Sequence, residues 1–152
     1  MPRQNGFSYV VVMFLLAISA VVAVRALENT ALSERRDKEA ELLWRGIAYR
    51  NAIKQYYENS PGSGKAYPAK LENLLYDSRL VKPTRPLRKL YTDPMTDDDW
   101  GLVLDASNAV IGVYSKSNVK PIKQAGFPPE LATFTGAQRY SDWKFIYTKP
   151  AP

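Results

Sequence analysis

The hydrophobic and polar positions divide the chain into three regions with different periods. Residues 7–24, FSYVVVMFLLAISAVVAV, carry no charge, and Ser8, Tyr9 and Ser19 are their only polar members. An apolar run with no polar face belongs to a helix that is covered on every side. As an α-helix it extends roughly 27 Å at about 1.5 Å per residue, which approaches the hydrocarbon thickness of a bilayer. In the second region, residues 28–58, there is no proline and Gly46 is the only glycine. Leu42, Gly46, Tyr49, Ile53 and Tyr56 recur at helical spacing, with Leu43 and Ile47 beside them. The breaker cluster Asn59-Ser60-Pro61-Gly62-Ser63-Gly64 follows. The pattern predicts one helix over residues 7–59, roughly 80 Å long. Its first half suits lipid, and its second half is amphipathic and packs on a globular head.

The third region changes period again. Residues 68–76, PAKLENLLY, open with a proline and predict a short second helix. Residues 82–91 hold Pro83 and Pro86 with four basic residues, and read as a linker or extended edge outside the core. Residues 93–99 are a loop. Trp100, Leu102 and Leu104 alternate as in a strand, Ala106-Ser107-Asn108 makes a turn, and residues 109–115 return as the partner strand. Residues 121–141 are rich in turn formers and are expected to lie over the sheet and pack through their own aromatics. Residues 143–147, WKFIY, form a last strand. The predicted class is α+β: a long N-terminal helix on a small three-stranded antiparallel sheet, with no internal repeat.

Composition narrows the chemistry. The 152 residues include no cysteine and no histidine. Disulfides, Cys/His metal sites and nucleophilic triads built on His or Cys are therefore excluded. Ser115 and Lys116 are adjacent, so on a strand they point to opposite faces and make no dyad. No phosphate-binding glycine loop stands out, and no enzyme activity is expected. The formal charge is +6, which suits an anionic surface or an acidic partner. Lys82, Arg85, Arg88, Lys89, Lys116, Lys120 and Lys123 are spread over separate elements with few interleaved aromatics, so nucleic acid is not an expected partner. The mixed-sign residues 34–41 read as a solvated helix face, with Glu34–Lys38 and Glu41–Arg45 as i,i+4 pairs. Trp44, Tyr49, Tyr56, Tyr57, Trp100, Tyr114, Trp143, Phe145 and Tyr147 are assigned to core packing. Asp93, Asp97, Asp98 and Asp99 lie within seven residues without a basic neighbour. Asp97, Asp98 and Asp99 offer hard oxygen ligands for calcium, and the competing reading is a solvated turn opposite the basic residues 82–89.

The positive flank at Arg3 keeps the leading end cytoplasmic and sends the rest of the chain across the membrane. A cleaved signal peptide, with a small-residue site at Val21-Val22-Ala23, an uncleaved signal anchor and a leader cut ahead of the apolar run are the three ways to use such a segment. Gln4-Asn5-Gly6-Phe7-Ser8-Tyr9, with a glycine directly before the aromatic that opens the run, resembles the prepilin peptidase site of type IV pilins and type II secretion pseudopilins. The resemblance implies that cleavage follows Gly6 and that Phe7 becomes the N-methylated first residue. Tyr56-Tyr57, Tyr67-Pro68, Asp93-Pro94 and the stretches KEAELLWRG, AGFPPE and RYSDWKFIY are similar to G-like pseudopilins. By that resemblance the fold is a pilin-like ladle: leader 1–6, transmembrane half-helix 7–24, periplasmic half-helix 25–60 and head 61–152. Phe7, Val11, Phe14, Leu15, Ile18 and Val22 form the filament and membrane helix. The implied partners are other pseudopilins, the prepilin peptidase, the inner-membrane assembly platform and membrane lipid. No cofactor is implied beyond the calcium associated with G-type heads. Val11 stands where the family usually carries a glutamate, which points to a minor, initiating or tip subunit. The alternative is a signal-anchored periplasmic adaptor that never polymerises.

Overall fold

A computed structural model describes residues 5–62 and 64–149. Arg3 and most of the expected leader lie outside the described residues, as do Ser63 and the last three residues of the head. For Gly6 and Phe7 the backbone alone is described, in the first turns of the long helix. The elements are helix α1 (Asn5–Glu58), strands β1 (Gly101–Leu104), β2 (Val110–Tyr114) and β3 (Lys144–Ile146), and three short 3₁₀ turns, Leu71–Leu74, Pro129–Phe134 and Tyr140–Asp142. The strands form one antiparallel sheet in the order β1-β2-β3. The fold is α+β, with a long N-terminal helix and a small three-stranded sheet. The chain divides into two compact units, Met1–Asp37 and Lys38–Pro152.

In the first unit every described side chain from Ser8 to Glu34 is exposed. In the second unit the predicted stripe on α1 is the core: Leu42, Tyr49, Ile53 and Tyr56 are buried. Gly46 belongs to it for a steric reason. A Cβ there would run into the ring of Phe145 on β3, so the ring rests directly on the helix backbone. From the sheet side Trp100, Val110, Val113, Trp143, Phe145 and Tyr147 complete the core. Residues 121–141 cover it as expected. Phe134 stacks on Trp143 at 5.3 Å between centroids and meets Phe145 edge-on at 5.0 Å.

The end of α1 is satisfied bond by bond. The last carbonyls of a helix lack intrahelical partners and carry partial negative charge. Asn59 N–H donates to the Gln55 carbonyl at 3.0 Å, Ser60 N–H to Tyr57 at 3.2 Å, and Lys65 Nζ to Glu58 at 2.7 Å. Arg79 Nη2 donates to the Tyr56 carbonyl at 2.7 Å, and its guanidinium lies 3.4 Å over the Tyr56 ring. Asp77, almost fully buried, accepts from Arg79 Nε and Nη2, both at 2.8 Å.

Three expectations change. The second helix is only the four-residue 3₁₀ turn Leu71–Leu74, and Pro68 lies outside it. The Pro68 carbonyl accepts Val110 N–H at 2.8 Å, and the backbone is still extended at Lys70. The alternation in β1 holds. Leu102 pairs with Val113, itself paired with Phe145, so it shares their core-side face, and Leu102 and Leu104 stay half-exposed because β1 is an edge of the sheet. Residues 82–91 are extended as expected but not outside the core, since Leu87 is buried and Thr84 pairs with Asp77. Trp44 is exposed, set edge-on to Tyr91 at 5.3 Å.

Replacing Gly46 with Leu forces Phe145 off the helix. We expect a loss of about 1–3 kcal/mol, the usual range for overpacking. Urea unfolding checks it, with a lower midpoint at unchanged m-value as the expected outcome.

Candidate functional site

Three features carry candidate chemistry: the apolar half of α1, the acidic loop at residues 93–99, and two buried carboxylates. Along the apolar half, Val11, Phe14, Leu15, Ile18 and Val22 are all exposed, and none of the apolar window is buried. The helix is long and apolar enough to cross a membrane. Two hydroxyls of α1, one in this half and one just beyond it, are turned onto the helix backbone. Ser19 Oγ donates to the Leu15 carbonyl at 2.9 Å, and Thr30 Oγ1 to Ala26 at 3.0 Å. Such i to i−4 bonds satisfy a hydroxyl where no water is at hand. The run ends in charge at Arg25, whose guanidinium lies 3.3 Å from Glu28.

The acidic loop separates into individual roles. Asp93 is fully buried and is not a surface carboxylate. It accepts from Ser115 Oγ at 2.7 Å, Met95 N–H at 2.9 Å, Thr96 Oγ1 at 3.0 Å and Lys116 N–H at 3.2 Å. It therefore ties the loop to the end of β2. Asp97 adopts a left-handed conformation, with φ 56°, that closes the turn over Asp93. Its carboxylate lies 3.8 Å from Lys38. Asp98 lies 3.8 Å from Lys116. Asp99 lines a groove against β1. The cations facing the turn are thus Lys38 and Lys116, not the basic residues 82–89. Lys38 was expected to pair with Glu34. Among the described residues no three Asp or Glu side chains converge where they could share an ion. Successive residues of a turn point apart, so Asp97, Asp98 and Asp99 are not brought together.

Glu39 is the other buried carboxylate. The mixed-sign run containing it is a solvated face at most of its other positions, but Glu39 is turned inward. It accepts from Tyr140 Oη at 2.7 Å, Ile122 N–H at 2.7 Å and Lys123 N–H at 3.0 Å. It anchors the cover segment to α1. The signal was present in the sequence, because residues 39, 42, 46, 49, 53 and 56 continue one stripe at spacings of three and four. Asp93 left a weaker trace. An Asp two residues before a free N–H, at the first position of a turn, is a common side-chain acceptor. Tyr49 joins the same framework. Its hydroxyl donates to the Tyr91 carbonyl at 2.9 Å and accepts Tyr91 N–H at 2.8 Å, and burial pushes the phenol pKa up. These groups are saturated by structural bonds. Ser115 in particular donates its hydroxyl to Asp93.

The chain matches no family model, no curated protein and no solved structure.

Asp77 generates a pH prediction. Its hydrogen bonds to Arg79 hold its carboxyl below the ordinary carboxylate range. A folded-state pKa below the unfolded one contributes stability at neutral pH, and that contribution is lost as pH falls from about 4 through the lowered value. An Arg79→Ala variant is expected to be less stable at pH 7 and to show a shallower decline on acidification. Urea midpoints across an acid series measure it. For Glu39→Ala, which strands the buried Tyr140 hydroxyl and two part-buried backbone N–H groups, we expect a loss of about 1–3 kcal/mol in the same assay.

Proposed function

We propose that this chain is a pseudopilin or minor pilin, made as a prepilin and used as a structural subunit of a type II secretion or type IV pilus-like filament. One observation carries the reading. Gly6 and Phe7 open an apolar, fully exposed helix, and the same α1 supplies the core stripe of a small α+β head. A soluble domain has no use for an uncovered apolar half-helix, since apolar surface of this extent stays covered by lipid or by other helices. The two covers are the two states of an assembly subunit. In storage, residues 7–24 lie in the inner membrane with the head in the periplasm. On assembly, Val11, Phe14, Leu15, Ile18 and Val22 exchange lipid for the helices of other pseudopilins. The prepilin peptidase cuts between Gly6 and Phe7 and methylates the new terminus, and the membrane assembly platform performs the extraction. The chain itself supplies packing surface and catalyses nothing.

Val11 favours a particular place in such a filament. A carboxylate inside lipid is retained only for a specific task. In the pilin family that task is thought to be pairing with the N-terminus of a neighbouring subunit. A subunit with valine there suits the initiating or tip position. The same residue supports a second reading, a signal-anchored adaptor whose helix stays in the membrane.

Intact mass of the protein from its native membranes separates these readings. The filament reading expects a chain that begins at methylated Phe7, and Gly6 replaced by a bulky residue should leave the full-length precursor. A chain beginning at Met1 or Val24 overturns it. An Ile18→Arg variant should leave the membrane fraction, at about 2.5–3.5 kcal/mol on insertion scales. Undiminished retention counts against a spanning helix.

A further inference from the structure

The two edges of the sheet are treated differently. On β3, Arg50 of α1 donates from Nε to the Ile146 carbonyl at 3.0 Å, and Lys144 is exposed beside it. Charges of this kind guard an edge against pairing. On β1 no such guard exists. The strand is Gly-Leu-Val-Leu, without lysine or proline, and among the described residues its outer edge pairs with no other backbone segment. Leu102 and Leu104 are 43% and 45% exposed. Beside the strand runs a groove of about 460 Å³ lined by Tyr49, Leu71, Leu90, Tyr91, Trp100 and Leu102 among others. Its floor is prearranged. Trp100 Nε1 and Tyr49 Oη both donate to the Tyr91 carbonyl, at 3.0 and 2.9 Å, so these rings have no freedom left to collapse into the space.

Charge selects the occupant. Asp99 stands at one end of β1 and Asp105 at the other. Asp105 is held in the ionised form by the Ser107 hydroxyl and the Ala109 N–H, which lower its pKa. Glu72 and Lys70 sit on the far lip of the groove. This edge is therefore acidic at both ends in a chain whose formal charge is +6. A second copy is disfavoured, because antiparallel self-pairing centred on Leu102 sets Asp99 of each copy opposite Asp105 of the other.

We propose that β1 takes up an extended segment of a different protein as a fourth strand, by β-augmentation, and that this segment has alternating apolar residues between two basic ends. The two carboxylates are six positions apart in sequence, so the basic ends are spaced roughly 20 Å apart at about 3.4 Å per residue. The bulge between Val103 and Leu104 limits the added pairing to a short segment. Backbone bonds to β1 and apolar side chains in the groove supply affinity, while Asp99 and Asp105 set the orientation and exclude acidic sequences.

The test uses full-length protein in nanodiscs and three labelled synthetic peptides: KVTVTVK, which sets its valines opposite Leu104, Leu102 and Trp100, its glutamate-ended counterpart EVTVTVE, and KVPVTVK. Fluorescence anisotropy reads binding, and hydrogen exchange reads the amides of β1. The expected result is saturable binding of the first peptide, at least about tenfold weaker binding of the other two, and slower exchange at Gly101–Leu104. Leu104→Lys and Asp99→Lys should each weaken binding. Asp99 is an exposed loop residue, so its variant remains informative if Leu104→Lys fails to fold. The proposal is overturned if KVTVTVK does not bind, if the proline peptide binds equally well, or if β1 exchange is unchanged. Self-association through this edge, abolished by Leu104→Lys, overturns it as well.

Discussion

The packing of the second unit depends on one close contact, the Phe145 ring lying on bare helix backbone at Gly46. A helix and a sheet ordinarily stand apart by the thickness of two side-chain layers. Here one layer is missing at the centre, and the larger residues to either side fill the wedges that remain. Leu42, Tyr49, Ile53 and Tyr56 on α1 can then reach Trp100, Trp143 and Tyr147 without leaving a void. The arrangement tolerates little change in volume, because close-packed interiors transmit strain.

Polar anchors placed beyond that contact hold the irregular segments in position. Glu39 collects the cover segment through two backbone N–H groups and Tyr140. Asp93 collects the acidic loop and the end of β2. Arg79, held by Asp77, closes the end of α1. Each is a charged group whose bonds are directed at backbone or hydroxyl partners. Such bonds are stronger than neutral ones and costly to leave unmade. A sheet of three short strands has few ladder bonds of its own, so these anchors give the long connections a single geometry. The buried carboxylates Glu39, Asp77 and Asp93 are thereby accounted for by architecture.

A head organised in this way suits a protein whose work is recognition and assembly. The exposed apolar helix supports the proposed filament role through the need to be covered. The unguarded β1 edge supports a separate role toward an extended partner. The two surfaces belong to different units of the chain and are open to independent tests.

The long helix, its apolar and amphipathic halves, its end near residue 59 and the three strands were all legible in the sequence. Each is written in local periodicity, and periodicity is a property of neighbouring residues. Glu39 was equally legible as part of the core stripe, but a carboxylate inside a charged run reads as solvated until its partners are known. What remained hidden depended on residues distant in the chain. The Pro68 carbonyl is taken by Val110, Leu102 and Leu104 stay half-exposed because β1 is a sheet edge, and Asp97 and Asp98 meet Lys38 and Lys116. The sequence by itself determined the long helix and the three strands, because those follow from spacing along one backbone. Only the tertiary structure decided that residues 68–76 make no longer helix, which carboxylates are inside and which sheet edge stays open, because each is set by steric and hydrogen-bond partners that no local pattern contains.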